Sequence, residues 1–354
     1  MTVKRLGDGE ERGAKVPKTE VQVLDHDTFF QRMKDARRRL NPDGHFLVAM
    51  YSSLVDGIVT DPDLMMVPLD DHAFVRGHAI FDTATLCKGC IYRLDIHLDR
   101  LFASARDSRL KLPFGESEEV NRQRITDIIC RTCIASGRRD GSIRYFLSAG
   151  PGNFNFTSEG CEPAFYCVVY GGLSNFEFKA ISEVTVRTSE VPMKPPLLAR
   201  VKSNNYMLNC ITAMEAQKRG GKFGLQIRAD DTVAEGAVVN CVVVTRDKVW
   251  ITPPFDDILA GTTVRKAMQL ARANLMGDGG LLKEVRQEVL PLATLRDAEE
   301  VILLSGDTHV NPITKLDDKP VGNGTIGPVA AKIMELLEED SQKMIGEDHL
   351  KLEY

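Results

Sequence analysis

At 354 residues the chain is longer than most single hydrophobic cores, which makes two domains the expectation. With 43% hydrophobic and 27% charged residues it has a globular composition, and its net charge of -5 argues against a nucleic-acid partner, whose footprint is a basic surplus or stripe. The longest apolar runs, such as AVVNCVVV, fall far short of the roughly 18 residues needed to cross a bilayer, so no membrane partner is expected.

Residues 1 to about 20 are polar and Gly-rich, without an apolar leader segment, so poor order and a cytoplasmic address are expected. Residues 25–40, DHDTFFQRMKDARRRL, read as a helix capped by Asp27 or Thr28, with apolar Phe29, Phe30 and Met33 and an Asn-Pro-Asp-Gly stop. Short β-rich runs follow: FLVAMYSS, GIVTD, MMVPL, AIFDTATLC and CIYRL. Helices are expected near 95–110, with Leu98, Leu101, Phe102 and Ala105 on one face, and near 118–137, before strands SIRYFLSAG and AFYCVVYGG. Strands and helices mix without strict alternation, which makes this half α+β.

A Gly- then Pro-marked stretch separates the halves. The expected divisions are an extension with one helix (1–45), a smaller N-terminal α+β domain (46–176), a larger C-terminal domain (177–342) and a tail (343–354). The second half opens on PPLLARVKSNNYMLN, read as a proline-introduced apolar strand that ends at Lys202. A helix follows from Tyr206 to Arg219, then strands FGLQIR, VVNCVVV and VWITP. A helix at GTTVRKAMQLARANL carries Val264, Ala267, Met268, Ala271 and Leu275 as one stripe. The strand EVILLSG and a closing helix, IGPVAAKIMELLEED, end the pattern.

Eight cysteines are too sparse for a disulfide scaffold. The pairs Cys87/Cys90 and Cys130/Cys133 fall on a turn and within a helix, and His72, His78 and His309 are scattered, so no metal site is expected.

A lysine alone is usually a solvated surface charge, but Lys202 has company. Glu235 stands between apolar strands, where a carboxylate needs a partner, although on its own it also reads as a hairpin turn residue. ILAGTTVR runs from a strand end into a helix start, and LLSGDTHVNP is another strand end with small polar residues. An amine, a carboxylate and two anion seats are what pyridoxal phosphate chemistry needs. The lysine joins the aldehyde, the carboxylate keeps the pyridine nitrogen protonated, and backbone N–H groups with an arginine hold the phosphate.

The motifs RGHAIFDTATLCKGCIYRLDIHLDRLFASA, KSNNYMLN, AEGAVVN, ILAGTTVR and LSGDTHVNPI, in that order, resemble the class IV (fold type IV) aminotransferases, from about residue 50 to about 335. That family includes branched-chain aminotransferases, D-amino-acid transaminases and aminodeoxychorismate lyase. SSLVDGIVTDPDLMMVPLDDHAFVRGH and SIRYFLSAGPGNF look most like its plant-type D-amino-acid transaminase branch.

The resemblance implies a two-domain α+β fold with a C-terminal pseudo-barrel, pyridoxal 5'-phosphate as cofactor, and a homodimer whose sites are each completed by a loop of the other subunit. It makes Lys202 the Schiff-base lysine and Glu235 the partner of the pyridine nitrogen. Arg100, Gly261, Thr262 and Thr263, with Ser305, Gly306 or Thr308, would hold the phosphate, Asp307 pointing away from it. Tyr206 would face the cofactor. Phe81, Phe154 and Phe156 would line the substrate pocket, and His97 would act as a cap or support. Arg76 and Arg93 are open to two readings, carboxylate binding or surface salt bridges. On its own Arg100 also reads as a surface arginine, with Asp99 and Asp107 near it as partners for basic side chains.

The loop SAGPGNFNF lacks the Arg and His with which bacterial D-amino-acid enzymes trap the substrate carboxylate, and it lacks the lyase version as well. A ping-pong D-amino-acid transaminase is the leading expectation. The alternatives are an L-branched-chain aminotransferase, a 4-amino-4-deoxychorismate lyase that releases pyruvate, and a non-catalytic binder of the cofactor.

Overall fold

The computed structural model describes residues 21–40, 46–171, 185–306, 310–343 and 348–354. The described residues divide between two units, 21–40 and 46–354. In the first, helix α1 spans His26–Leu40 and gathers Arg37, Arg38 and Arg39 in its last turn, where cations favour the carbonyl end of the helix dipole. Its cap is Asp25, earlier than expected: the Asp25 carboxylate accepts from Thr28 N at 2.8 Å, and its carbonyl accepts from Phe29 N at 2.9 Å.

The second unit begins with β1 (Leu47–Ser52), β2 (Gly57–Val59), α2 (His72–Val75), β3 (Ala79–Cys87), β4 (Cys90–Tyr92), α3 (Leu94–Asp107), α4 (Glu118–Ala135), β5 (Gly141–Ser148) and β6 (Ala164–Tyr170). It continues with β7 (Thr185–Ser189), α5 (Pro196–Arg200), α6 (Met207–Lys218), β8 (Phe223–Ile227), β9 (Thr232–Gly236), β10 (Val239–Val244), β11 (Val249–Thr252) and α7 (Thr262–Asn274). It closes with β12 (Glu284–Gln287), β13 (Leu290–Pro291), α8 (Leu292–Arg296), β14 (Glu300–Ser305), β15 (Val310–Ile313), β16 (Lys315–Leu316), β17 (Lys319–Pro320), α9 (Pro328–Gln342) and β18 (His349–Lys351).

The first sheet runs β18-β4-β3-β5-β6-β1-β2 and is antiparallel throughout. Alternation along β3 sends Ile80, Asp82, Ala84 and Leu86 to the buried face. There the apolar ones meet Leu98, Leu101 and Phe102 of α3 and Ile125 and Ile129 of α4 in one core. The C-terminal residues join this sheet, with Leu350 opposite Ile91.

The other two sheets run β12-β11-β10-β14-β15 and β13-β9-β8-β7-β16-β17. Leu225 and Val233 of one and Cys241, Val243, Val301 and Leu303 of the other share a core, while the far face of β10 and β14 packs on α7 and α9 through Val242, Ile302, Ala267 and Ile333. The chain crosses from β9 to β10 at Gly236, where an added Cβ would lie 2.9 Å from the Gly224 carbonyl oxygen and 2.5 Å from Val239 Cγ2.

Two expected strands are absent. PPLLARV forms helix α5, because proline is accommodated in a first helical turn and Leu-Leu-Ala favours helix. MMVPL makes no ladder: it follows a 3-10 turn at Pro62–Leu64, and Pro68 has no N–H to give a neighbouring strand.

Candidate active site

Lys202 is held by its backbone. Phe81 N donates to Lys202 O at 2.9 Å and Asn204 N to Ala79 O at 3.0 Å, so residues 202–204 pair with the first residues of β3 through an Ile80–Ser203 bridge. Lys202 N is 3.3 Å from Ser104 Oγ on α3. Val201, 2% exposed, anchors in the core of the first sheet. The next side chain therefore points the other way, and Lys202 Nζ lies 4.9 Å from the centre of the Phe81 ring. Burial, then the Arg100 guanidinium, lower the amine to a pKa of about 8 against the pull of Asp82 and Glu235.

Arg100, on α3, donates through Nε to Asp82 Oδ2 at 2.8 Å and through Nη2 to Asp82 Oδ1 at 2.7 Å, and Asp82 Oδ1 lies 2.9 Å from His97 Nδ1. Asp82 is fully buried. Burial opposes its ionisation, but Arg100 and His97 outweigh that and hold the carboxyl well below the usual range. The remaining guanidinium nitrogen, Nη1, reaches Ala260 O at 3.3 Å, just ahead of α7. Asp99 pairs instead with Arg122 at 2.6 Å. Asp82 escaped the sequence reading, although an acid on the apolar face of a strand was a signal.

Glu235 lies within β9, not in a turn, and is 4% exposed. Its Oε2 accepts from Leu259 N at 3.2 Å and from Asn240 Nδ2 at 3.5 Å, and its Oε1 is 3.4 Å from Lys194 Nζ. Burial raises its pKa, and Lys194, the Leu259 N–H and Lys202 restrain the rise. Lys194, Lys202, Tyr206 and Glu235 line one small cleft. Lys194 was also missed: it lies in VPMKPP, which reads as a boundary.

Helix α7 starts at Thr262 with Gly261 as its cap residue, and among the described residues no side chain caps it. Thr262 and Thr263 are 5% and 6% exposed. The contrast is α9, whose first amides, Val329 N and Ala330 N, are taken by Glu300 at 2.9 and 2.8 Å. Gly261 is dictated by packing, since a Cβ there would stand 1.9 Å from Asn240 Oδ1. Ser305 ends β14 opposite Val239, and Gly306 follows it, exposed. Asp307, Thr308 and His309 lie outside the described residues.

The Tyr206 ring is 5.2 Å from that of Phe81, and burial, followed by the Glu235 charge, pushes its phenol up to about 12. Arg144, on β5, stacks 5.3 Å from the Phe81 ring and 5.3 Å from the Tyr170 ring, with Nε held by Thr83 Oγ1 at 3.1 Å. It too was overlooked within SIRYFLSAG. Phe154 and Phe156 are not brought to this cluster within the chain. They are 60% and 94% exposed, beside Arg76, which donates to Phe154 O and Asn155 O and lies 5.1 Å from the Phe156 ring. Arg93 pairs with Asp348 and donates to Thr262 O at 3.0 Å.

A half-buried amine of lowered pKa, a buried carboxylate across the same cleft and an uncapped helix start beside an arginine can hold a phosphorylated aldehyde cofactor and move protons beside it. The family model for amino-transferase class IV matches residues 79–316. Over 322 residues the chain is 39% identical to the chloroplastic D-amino-acid transaminase of Arabidopsis thaliana, covering 90% of this chain and 82% of that protein. It is 25% identical to a D-alanine aminotransferase of Bacillus licheniformis, covering 80% and 95%. In fold it matches the branched-chain aminotransferase of the thermophilic archaeon Thermoproteus uzoniensis solved with norvaline, at a TM-score of 0.72 and 19% identity, over 86% of this chain and 99% of that one.

Proposed function

The chain belongs to the class IV aminotransferases, enzymes that transfer amino groups, and we propose that it takes the amino group of a D-amino acid such as D-alanine and delivers it to a 2-oxo acid, using pyridoxal 5'-phosphate. The observation that carries this reading is the convergence of Lys202, its pKa lowered to about 8, with Glu235 and the uncapped start of α7.

The residues fit such a cofactor. The first-turn amides of α7 have no side-chain cap among the described residues, Arg100 reaches the residue before that turn, and the buried Asn209 Oδ1, in the cleft with Lys202 and Glu235, has no hydrogen-bond partner among them. Arg100, Thr262, Thr263 and Ser305 would hold the phosphate, Gly261 and Gly306 leaving room for it. Thr308 would follow them in sequence, outside the described residues. Glu235 would hold a proton on the ring nitrogen, with Tyr206 and Phe81 packing beside the ring.

When bound, the cofactor supplies an electron sink that acidifies the Cα–H of the amino acid joined to it. Lys202 would then serve as the base, its low-pKa amine taking that proton and holding it at Nζ. Arg144, part-buried and paired with no carboxylate among the described residues, is positioned to bind the substrate carboxylate.

The enzyme is further proposed to be a homodimer. Leu69, Phe74 and Phe156 are 69%, 72% and 94% exposed, and an apolar groove of about 610 Å³, with Phe74, Arg144, Phe146 and Tyr170 in its lining, adjoins the site. A second copy laid there would bring the loop of Phe154 and Phe156 toward the other subunit's cleft. In Phe74→Glu, light scattering should then report a monomer.

The deciding experiment titrates the cofactor-loaded protein with D-alanine, L-leucine and aminodeoxychorismate while its absorption band is followed. Bleaching by D-alanine alone supports the reading. Bleaching by L-leucine replaces it with the branched-chain alternative. Pyruvate release from aminodeoxychorismate with the band restored makes it a lyase, and no response to any substrate makes it a non-catalytic binder.

A further inference from the structure

Lys194 is an unusual lysine. It is 8% exposed, on a loop braced by Pro192 and by Pro195 and Pro196, and its Nζ stands 3.4 Å from Glu235 Oε1 and 5.7 Å from the centre of the Tyr206 ring. Desolvating an ammonium is costly, so its place needs an electrostatic return. Glu235 provides it. Lys194 takes one carboxylate oxygen, while the Leu259 amide and Asn240 take the other. The reaction assigned to this family needs one amine at the cofactor, and Lys202 fills that role.

We propose that Lys194 is a positioning residue for Glu235, keeping its carboxylate ionised and fixed in the cleft so that a proton shared with the cofactor's pyridine nitrogen stays on the ring. The part that concerns the ring rests on the reading given under Proposed function; the part that concerns Glu235 does not. In a buried site a carboxylate and a ring nitrogen can share a proton in two ways, as an ion pair or as a neutral acid beside a neutral ring. A cation beside the carboxylate favours the ion pair. The other charged or titratable groups acting on Glu235 or its neighbours are Lys202 and Tyr206 beside it, Arg100 and Asp82 behind Lys202, and Arg144 beyond Phe81. Among the described residues, Lys194 alone of the cations forms an ion pair with Glu235.

The test has two arms. In the cofactor-free protein, Lys194→Met should destabilise the fold at pH 8, and the loss should shrink as the pH falls to about 5. Without its cation, Glu235 has a higher folded-state pKa, and stability is lost as the pH rises above the ordinary carboxylate value of about 4.3 through that raised value. In a Glu235→Gln background the same substitution should cost much less. A loss independent of pH and equal in both backgrounds would reduce Lys194 to packing and overturn the proposal. In the second arm the protein is loaded with cofactor carrying ¹⁵N in its ring. Lys194→Met should move the nitrogen signal toward unprotonated pyridine, and an unmoved signal would overturn the proposal's claim about the ring. Failure of the wild-type protein to bind the cofactor would strike at the proposed function and leave the first arm standing.

Discussion

Arg100 meets Asp82 at two points, with Nε at 2.8 Å and Nη2 at 2.7 Å from separate carboxylate oxygens, and it does so with its third nitrogen aimed at the start of α7. The pair fixes a guanidinium that would otherwise have several rotamers. In Asp82→Asn, Arg100 keeps its charge in a buried site without a counter-charge, and a loss of about 3–5 kcal/mol of stability is expected. Denaturant unfolding at pH 7 measures it.

The same pair predicts a pH effect. Asp82 has a folded-state pKa below its unfolded one, so it contributes stability that is complete above about pH 4 and lost as the pH falls below that toward the lower folded value. The stability gap between wild type and Asp82→Asn should therefore narrow as unfolding is followed from pH 5 to pH 2.

Lys202 acts in the same sense at higher pH. Its folded-state amine titrates near 8, below an ordinary lysine, so its proton is already released between about pH 8 and 10 in the folded state but not in the unfolded one, and stability gains across that window. Acylation by a small reagent, followed by peptide mass spectrometry, should show the Lys202 rate rising tenfold per unit below about pH 8 and levelling above it. A profile that rises without levelling up to pH 10 would mean an unperturbed lysine.

Much of the site was legible because its chemistry is carried by local sequence. Lys202 and Tyr206 fall in one run, Glu235 in AEGAVVN, and Thr262 and Thr263 at a helix start that reads as following a strand end but follows the loop 253–261, where a Cβ on Gly261 would meet Asn240. Asp82, Arg144 and Lys194 were not legible, for a common reason: each gains its meaning from a residue on another element. Asp82 is defined by α3, Arg144 by rings on β3 and β6, and Lys194 by β9, forty-one positions away in sequence. The helix at 196–200 was hidden differently: prolines read as the start of an extended run serve equally well as a first helical turn.

If Arg144 binds the substrate carboxylate, Arg144→Met should raise KM for the amino acid by about 10- to 100-fold, the worth of a charge-assisted hydrogen bond of about 1.5–3 kcal/mol, with kcat changed less. Steady-state kinetics at fixed 2-oxo acid measure the split. A fall in kcat with KM unchanged would move Arg144 out of substrate binding.

Glu235→Gln keeps the shape and removes the charge. The amino-transfer rate should fall by about 10²- to 10⁴-fold while cofactor is still retained, as read by single-turnover absorbance and by cofactor content after gel filtration. Loss of the cofactor with the rate per bound cofactor unchanged would make Glu235 an anchor and not a proton holder.

The account turns on Lys202 as the amine that takes the cofactor. The direct measurement is to load the protein with pyridoxal 5'-phosphate, reduce it with borohydride, digest it and locate the fixed label by mass spectrometry. The account predicts one phosphopyridoxyl group, on Lys202, and none in Lys202→Ala. Label on Lys194 or on another lysine, or label that persists at the same level in Lys202→Ala, would contradict it.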